Sequence, residues 1–99
     1  MIKSFICTET EKIFNRFHSG KFPSHIQRIA LRKLRMLNRA IIPNDFKIPP
    51  LNKPEILRGK RQGKFAVPIN SNWKLCFRYN DRDLYDVEIL NVDEIKNEQ

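Results

Sequence analysis

LRGKRQGKFAVPINSNWKLCFRY, residues 57–79, reads as a cationic loop feeding a β-hairpin, and the rest of the chain is organised around it. The loop runs Arg58-Gly59-Lys60-Arg61-Gln62-Gly63-Lys64. Its two glycines let the backbone turn tightly without a β-carbon. Phe65, Val67 and Ile69 then alternate, and after Asn70-Ser71-Asn72 so do Trp73, Leu75, Phe77 and Tyr79. Period two on either side of an Asn/Ser turn predicts an antiparallel hairpin. The intervening positions of the second strand are Lys74, Cys76 and Arg78. One sheet face is therefore expected to be apolar and the other cationic, a surface suited to a polyanion.

The full chain of 99 residues is long enough for one small domain, residues 1–99, and no second core. With 19 Lys+Arg against 11 Asp+Glu, the net charge of +8 points to an anionic partner. No apolar run approaches the roughly 20 residues of a membrane span, and the N-terminus lacks the apolar core of a signal peptide. A cytoplasmic protein without membrane contact is expected. Cys7 and Cys76 are too few and too far apart for a metal-ligand motif and are expected to be reduced thiols. No metal or other cofactor is expected.

Outward from the hairpin, residues 2–6 read as a short strand. Thr8 and Glu11 have the spacing of a capping box, and Thr10, Ile13, Phe14 and Phe17 share one face of a helix that Gly20 would close. A second helix begins near Ser24. Ile26, Ala30, Leu34, Leu37 and Ile41 recur every three or four residues, a helical stripe. Arg28, Arg32, Arg35 and Arg39 follow the same steps two residues on, about 200° around the helix, so they occupy the opposite face. That face is either a solvated helix back or a binding stripe for phosphate or a protein partner. Residues 44–54, rich in proline, read as an ordered connector. Pro68 inside the first hairpin strand requires an edge or a bulge there. Residues 84–92 form a last strand, with Tyr85, Val87 and Ile89 on one face and Leu90 breaking the alternation. The polar tail from Asp93 is expected to fray. The order strand, two helices, three strands predicts an α+β domain: a small, mostly antiparallel sheet with two N-terminal helices on one face.

The spacing Leu57-Arg58-Gly59-x-Arg61-x-Gly63, a strand, then Asn70-x-x-Trp73-Lys74-x-x-Phe77 resembles the HigB toxins of bacterial toxin–antitoxin systems, in the RelE/ParE superfamily. The resemblance extends to Met1-Ile2-Lys3-Ser4-Phe5, to the Ala30–Leu37 run, to Pro49-Pro50 and to Tyr85-Asp86-Val87-Glu88-Ile89. It implies a RelE-like fold, a helix-turn-helix antitoxin of the HigA type encoded immediately downstream, and metal-independent cleavage of messenger RNA on the ribosome.

Such cleavage has the 2′-hydroxyl attack its own phosphate, and it needs a base, cations for the charge on the phosphorane, and an acid for the leaving oxygen. Arg58, Arg61 and Lys74 suit the cationic task, with Lys60, Lys64 and Arg78 along the RNA, and with Arg28, Arg32, Arg35 and Arg39 as a further RNA-binding stripe. By the resemblance, many close relatives end in Asp-Tyr-His after the last strand, where this chain has Asn91, Val92 and Asp93. Asp93 keeps a carboxylate there, a weaker base than imidazole. An alternative register puts Lys96 at the terminal position, and Glu55 is a second candidate base beside the loop. His18 and His25 flank the turn between the helices, far from the hairpin in sequence, and read as surface histidines. Three functions stay open: a ribosome-dependent endoribonuclease, attenuated or not; a toxin-fold protein that binds antitoxin and RNA without cutting; and a ParE-like inhibitor of DNA gyrase.

Overall fold

The order of elements is α1 (Thr8–Phe14), α2 (Ser24–Arg39), β1 (Glu55–Ile56), β2 (Phe65–Pro68), β3 (Trp73–Asn80), β4 (Asp83–Asn91) and α3 (Val92–Glu98). This computed structural model describes residues 1–39, 55–56 and 63–98. Ile41 and the connector at residues 44–54 lie outside them. The strands form one antiparallel sheet in the order β1-β2-β3-β4. The α+β architecture read from the sequence is the one found.

The hairpin forms as its alternation predicts. Phe65 pairs with Phe77 and Val67 with Leu75. The Asn70 side-chain oxygen accepts from the backbone N–H groups of Asn72 and Trp73, at 2.8 and 2.9 Å, and so shapes the turn. Among the described residues β1 pairs only with Ala66 and Phe65, and Pro68 ends β2 opposite Lys74 of β3. Between β3 and β4, Asp81 and Arg82 adopt φ of 50° and 68°. Two central residues of positive φ make a type I′ turn, whose twist matches the strands it joins.

β4 departs from strict alternation. The β3–β4 register slips between Cys76 and Arg78, and Asp86 takes φ 54°. This is a β-bulge, held by Ser4, whose hydroxyl oxygen accepts from the Asp86 N–H at 2.9 Å. The extra residue puts Leu84 and Val87, three apart, on the same face, both fully buried. Leu84, not the expected Tyr85, therefore fills the core. Residues 2–6, expected as a short strand, form no regular strand. They run beside β4 with parallel bridges only at Ile2–Leu84 and Phe5–Val87.

α2 buries Ile26, Ala30, Leu34 and Leu37 against Val67, Leu75, Phe77, Leu84, Val87 and Ile89. α1 adds Ile13, and the buried Thr10 hydroxyl oxygen accepts from the Ile89 N–H at 3.1 Å. The ends of α1 differ from expectation. Cys7, not Thr8, is the N-cap and makes no side-chain capping bond. Helix α1 closes at Phe14, because Arg16 adopts φ 69°. The Arg16 N–H then reaches the Ile13 carbonyl and the Phe17 N–H the Lys12 carbonyl, the double bond of a Schellman motif. Gly20 has no part in this closure, and Phe17 is 68% exposed instead of joining the core. The loop to α2 is tied by polar groups. Buried Gln27 accepts from the Ser19 N–H and donates to the Ser19 and Phe22 carbonyls, and the Ser19 hydroxyl donates to Glu9 at 2.7 Å. That bond, with Lys12 beside it, holds the Glu9 carboxyl below its ordinary range.

The tail does not fray. It forms α3, whose Ile95 is 5% exposed and packs with Ala66, Cys76 and Leu90 on the sheet face opposite α1 and α2. Leu90 breaks the alternation of β4 because it serves this second, smaller cluster.

Candidate nucleic-acid interface

The sheet face away from α1 and α2 carries the hairpin's cations. Lys74 pairs with Leu90 and Trp73 with Asn91, so Lys74 lies on β3 close to where β4 passes into α3. Its side chain is half-buried. Arg78, further along β3, is exposed and lies 3.4 Å from the half-exposed Asp86 carboxylate. An ion pair in that setting contributes little to stability and leaves the guanidinium within reach of other anions. At the foot of the loop, Gly63 adopts φ +86°, and a β-carbon there would lie 3.6 Å from the Arg78 Nη1. Glycine's freedom is used here for a left-handed backbone beside a guanidinium.

Lys64 is placed differently from the expectation. It is 4% exposed, and its ammonium lies 2.9 Å from the Glu88 carboxylate. Lys64 precedes Phe65 by one residue and so falls on the same face as Ala66 and Cys76. Its charge is committed to Glu88 inside the protein, not presented to RNA phosphates. Sequence reasoning missed Glu88 as its partner because the two are distant in the chain and only the sheet brings them together.

Asn91, Val92 and Asp93 stand at the beginning of a helix. The Asn91 side-chain oxygen accepts from the Asp93 N–H at 2.9 Å, an N-cap bond, while the Val92 N–H donates to the Asn72 carbonyl. The carboxylate of Asp93 is exposed in the first turn. The signal for this helix was present: Asn91 followed by Glu94 three residues later has the capping spacing. Glu55 lies in β1, its backbone opposite Ala66. Arg58, Lys60 and Arg61 lie outside the described residues; of the others, Lys74 and Arg78 lie on β3 and Asp93 in the first turn of α3.

The second cationic surface is the outer flank of α2. Arg28, Arg32 and Arg39 are exposed and Arg35 is half-buried, on the side away from the core. His18 and His25 are both exposed, His18 in the loop before α2 and His25 in the first turn of α2. Cys7 and Cys76 are free thiols. Among the described residues no three His, Cys, Asp or Glu side chains gather as a metal site, and no helix is long and apolar enough to cross a membrane.

Comparison with known proteins agrees with this layout. A family model of HigB-like toxins, RelE-like toxins of type II toxin–antitoxin systems, matches residues 4–93. The chain is 36% identical over 59 residues to Toxin HigB-1 of Vibrio cholerae, covering 60% of this chain and 62% of that protein. It is 30% identical over 65 residues to an uncharacterized protein of Haemophilus influenzae, covering 66% of this chain and 64% of that one. The chain thus spans just under two thirds of the length of these relatives. Crystal structures of YafQ from E. coli superpose with a TM-score of 0.60 at 14% identity, and for a single-substitution mutant 0.59 at 18%, each covering 95% of this chain and 94% of the other. At that identity the likeness is one of fold. The family match, over nearly all the elements that build the two cationic faces, is one of lineage: the chain belongs to the HigB-like family of RelE-like toxins.

Proposed function

We propose that the protein is the toxin of a type II toxin–antitoxin pair and that it cuts messenger RNA on the ribosome. The family match over residues 4–93 carries the proposal, and the cations on the α3 side of the sheet give it a chemistry. In the cut, the 2′-oxygen bonds to the adjacent phosphorus and the bond to the 5′-oxygen breaks, giving a 2′,3′-cyclic phosphate and a 5′-hydroxyl whose proton comes from solvent water. Lys74, with Arg58 and Arg61, opposes the charge that builds on the phosphorane. Asp93 takes the 2′-hydroxyl proton, with Glu55 the second candidate. Lys60 and Arg78 hold flanking phosphates. The partner that restrains this activity is a helix-turn-helix antitoxin of the HigA type.

The test is primer extension on cellular messages after induction. New 5′ ends inside translated frames support the proposal; arrested growth with intact messages removes the nuclease from it. A second function, binding antitoxin and RNA without cutting, is favoured by one observation. Asn91, where relatives carry an acid, is engaged as a helix cap and has no proton to exchange at neutral pH.

A further inference from the structure

We infer that the outer face of α2 docks an acidic amphipathic helix of a protein partner, not nucleic acid. Only the existence of such a partner rests on the toxin reading above; the chemistry of its helix comes from the surface itself.

Arg28, Arg32, Arg35 and Arg39 form one seam, rising about 16 Å along the helix at 1.5 Å per residue. α2 contains no acidic residue, and among the described residues none of the four arginines joins an ion pair. Two clefts open along this seam, of about 470 and 380 Å³, and they share Arg28, Leu31 and Arg35. The first also takes in Phe17 and the second Met36. Phe17 is 68% exposed, held out of the core by the left-handed Arg16 that ends α1.

Cations interleaved with apolar side chains at helical spacing select between partners. Phosphate backbone gains from the guanidiniums but nothing from Leu31 and Met36. A helix laid along the seam gains from both, with Leu- or Ile-like side chains in the clefts and carboxylates at the same three- and four-residue steps reaching the arginines. Arginine's forked donors favour carboxylates presented in this way.

The experiment is an amide chemical-shift titration of the full-length protein with three probes. One is an 18-residue acidic helical peptide with a leucine stripe flanked by glutamates. The second replaces each leucine by serine at unchanged charge. The third is a 12-nucleotide single-stranded RNA. The leucine peptide should move the amides of Phe17, Arg28, Leu31 and Arg35, and the serine peptide should bind at least tenfold more weakly. Arg28→Glu with Arg35→Glu should weaken the leucine peptide at least tenfold, and the milder pair Arg28→Gln with Arg35→Gln at least threefold. RNA should act on Lys74 and Arg78 instead. The inference is overturned if the leucine peptide fails to bind or moves other amides, if RNA occupies α2 more tightly than the peptide, or if both arginine pairs leave the affinity unchanged. Message cleavage does not enter this readout, so failure of the docking face and failure of the nuclease proposal are distinguishable.

Discussion

The Lys64 ammonium lies 2.9 Å from the Glu88 carboxylate, with the two side chains only 5% and 12% exposed. A charge pair so enclosed contributes modestly as a pair but is costly to break, because the remaining charge stays buried. Glu88→Gln should therefore destabilise the protein by about 3 kcal/mol, read as a lower urea midpoint at unchanged slope. A loss within about 0.5 kcal/mol, the range of ordinary surface substitutions, would mean that Lys64 reaches water and is available to RNA after all.

The same face is covered by α3. Ile95→Ala should cost about 2 kcal/mol, the low end for a buried isoleucine, since the cluster with Ala66, Cys76 and Leu90 is small. Asn91→Ala removes the side-chain acceptor at the helix start and should cost about 1 kcal/mol. Thermal unfolding of both variants checks this. Unchanged midpoints in both would describe a tail that contributes nothing to the fold.

Acid stability should depend on Glu9. Its carboxyl accepts from the Ser19 hydroxyl and pairs with Lys12, which together hold it below its ordinary 4.5. A depressed carboxylate contributes stability that is complete above the ordinary value and is lost as pH falls through the lower, folded one. Glu9→Gln should thus narrow its stability gap from the parent as pH drops below about 4.5. Urea midpoints across pH 3 to 7 would show it; parallel curves would assign the acid limb to other carboxylates.

How much of this was legible in the chain follows from which physical signal each element left. α2 and the hairpin wrote their periods plainly, at Ile26, Ala30, Leu34 and Leu37 and at Val67, Leu75 and Phe77, because each buries one face against a single core. The bulge at Asp86 left no such mark. Its φ of 54° is fixed by tertiary contact with Ser4, 82 positions away. The true end of α1 was hidden because Arg16 takes the left-handed position that glycine usually fills, drawing attention to Gly20 instead. α3 offers one buried side chain among polar neighbours, too little for a period, although Asn91 and Glu94 supplied a capping signal. As for the candidate site, the sequence offered its cations but not their burial: Lys64 and Lys74 look alike in the chain, yet Lys64 is enclosed beside Glu88 and Lys74 is half-buried.

The carboxylate of Asp93 is the candidate base that the structure describes. Replacing it by asparagine preserves volume and removes the proton acceptor, and Asp93→Asn should slow cleavage of ribosome-bound message by about 10²-fold or more. Equal rates in variant and parent would move the role to Glu55, and Glu55→Gln becomes the next variant to assay.

If the cationic side of the hairpin cuts message on the ribosome, as proposed, the reaction depends on Lys74. Cleavage of a defined message would be timed on purified ribosomes stalled in mid-frame, beside the same RNA free in solution, with the parent and with Lys74→Ala. The parent should cut only the ribosome-bound message, and Lys74→Ala, folded as judged by its circular dichroism, should be slower by about 10²–10³-fold, the loss expected for one group that stabilises transition-state charge. Cleavage by Lys74→Ala at the parent's rate, or no cleavage by the parent on ribosomes, would contradict it.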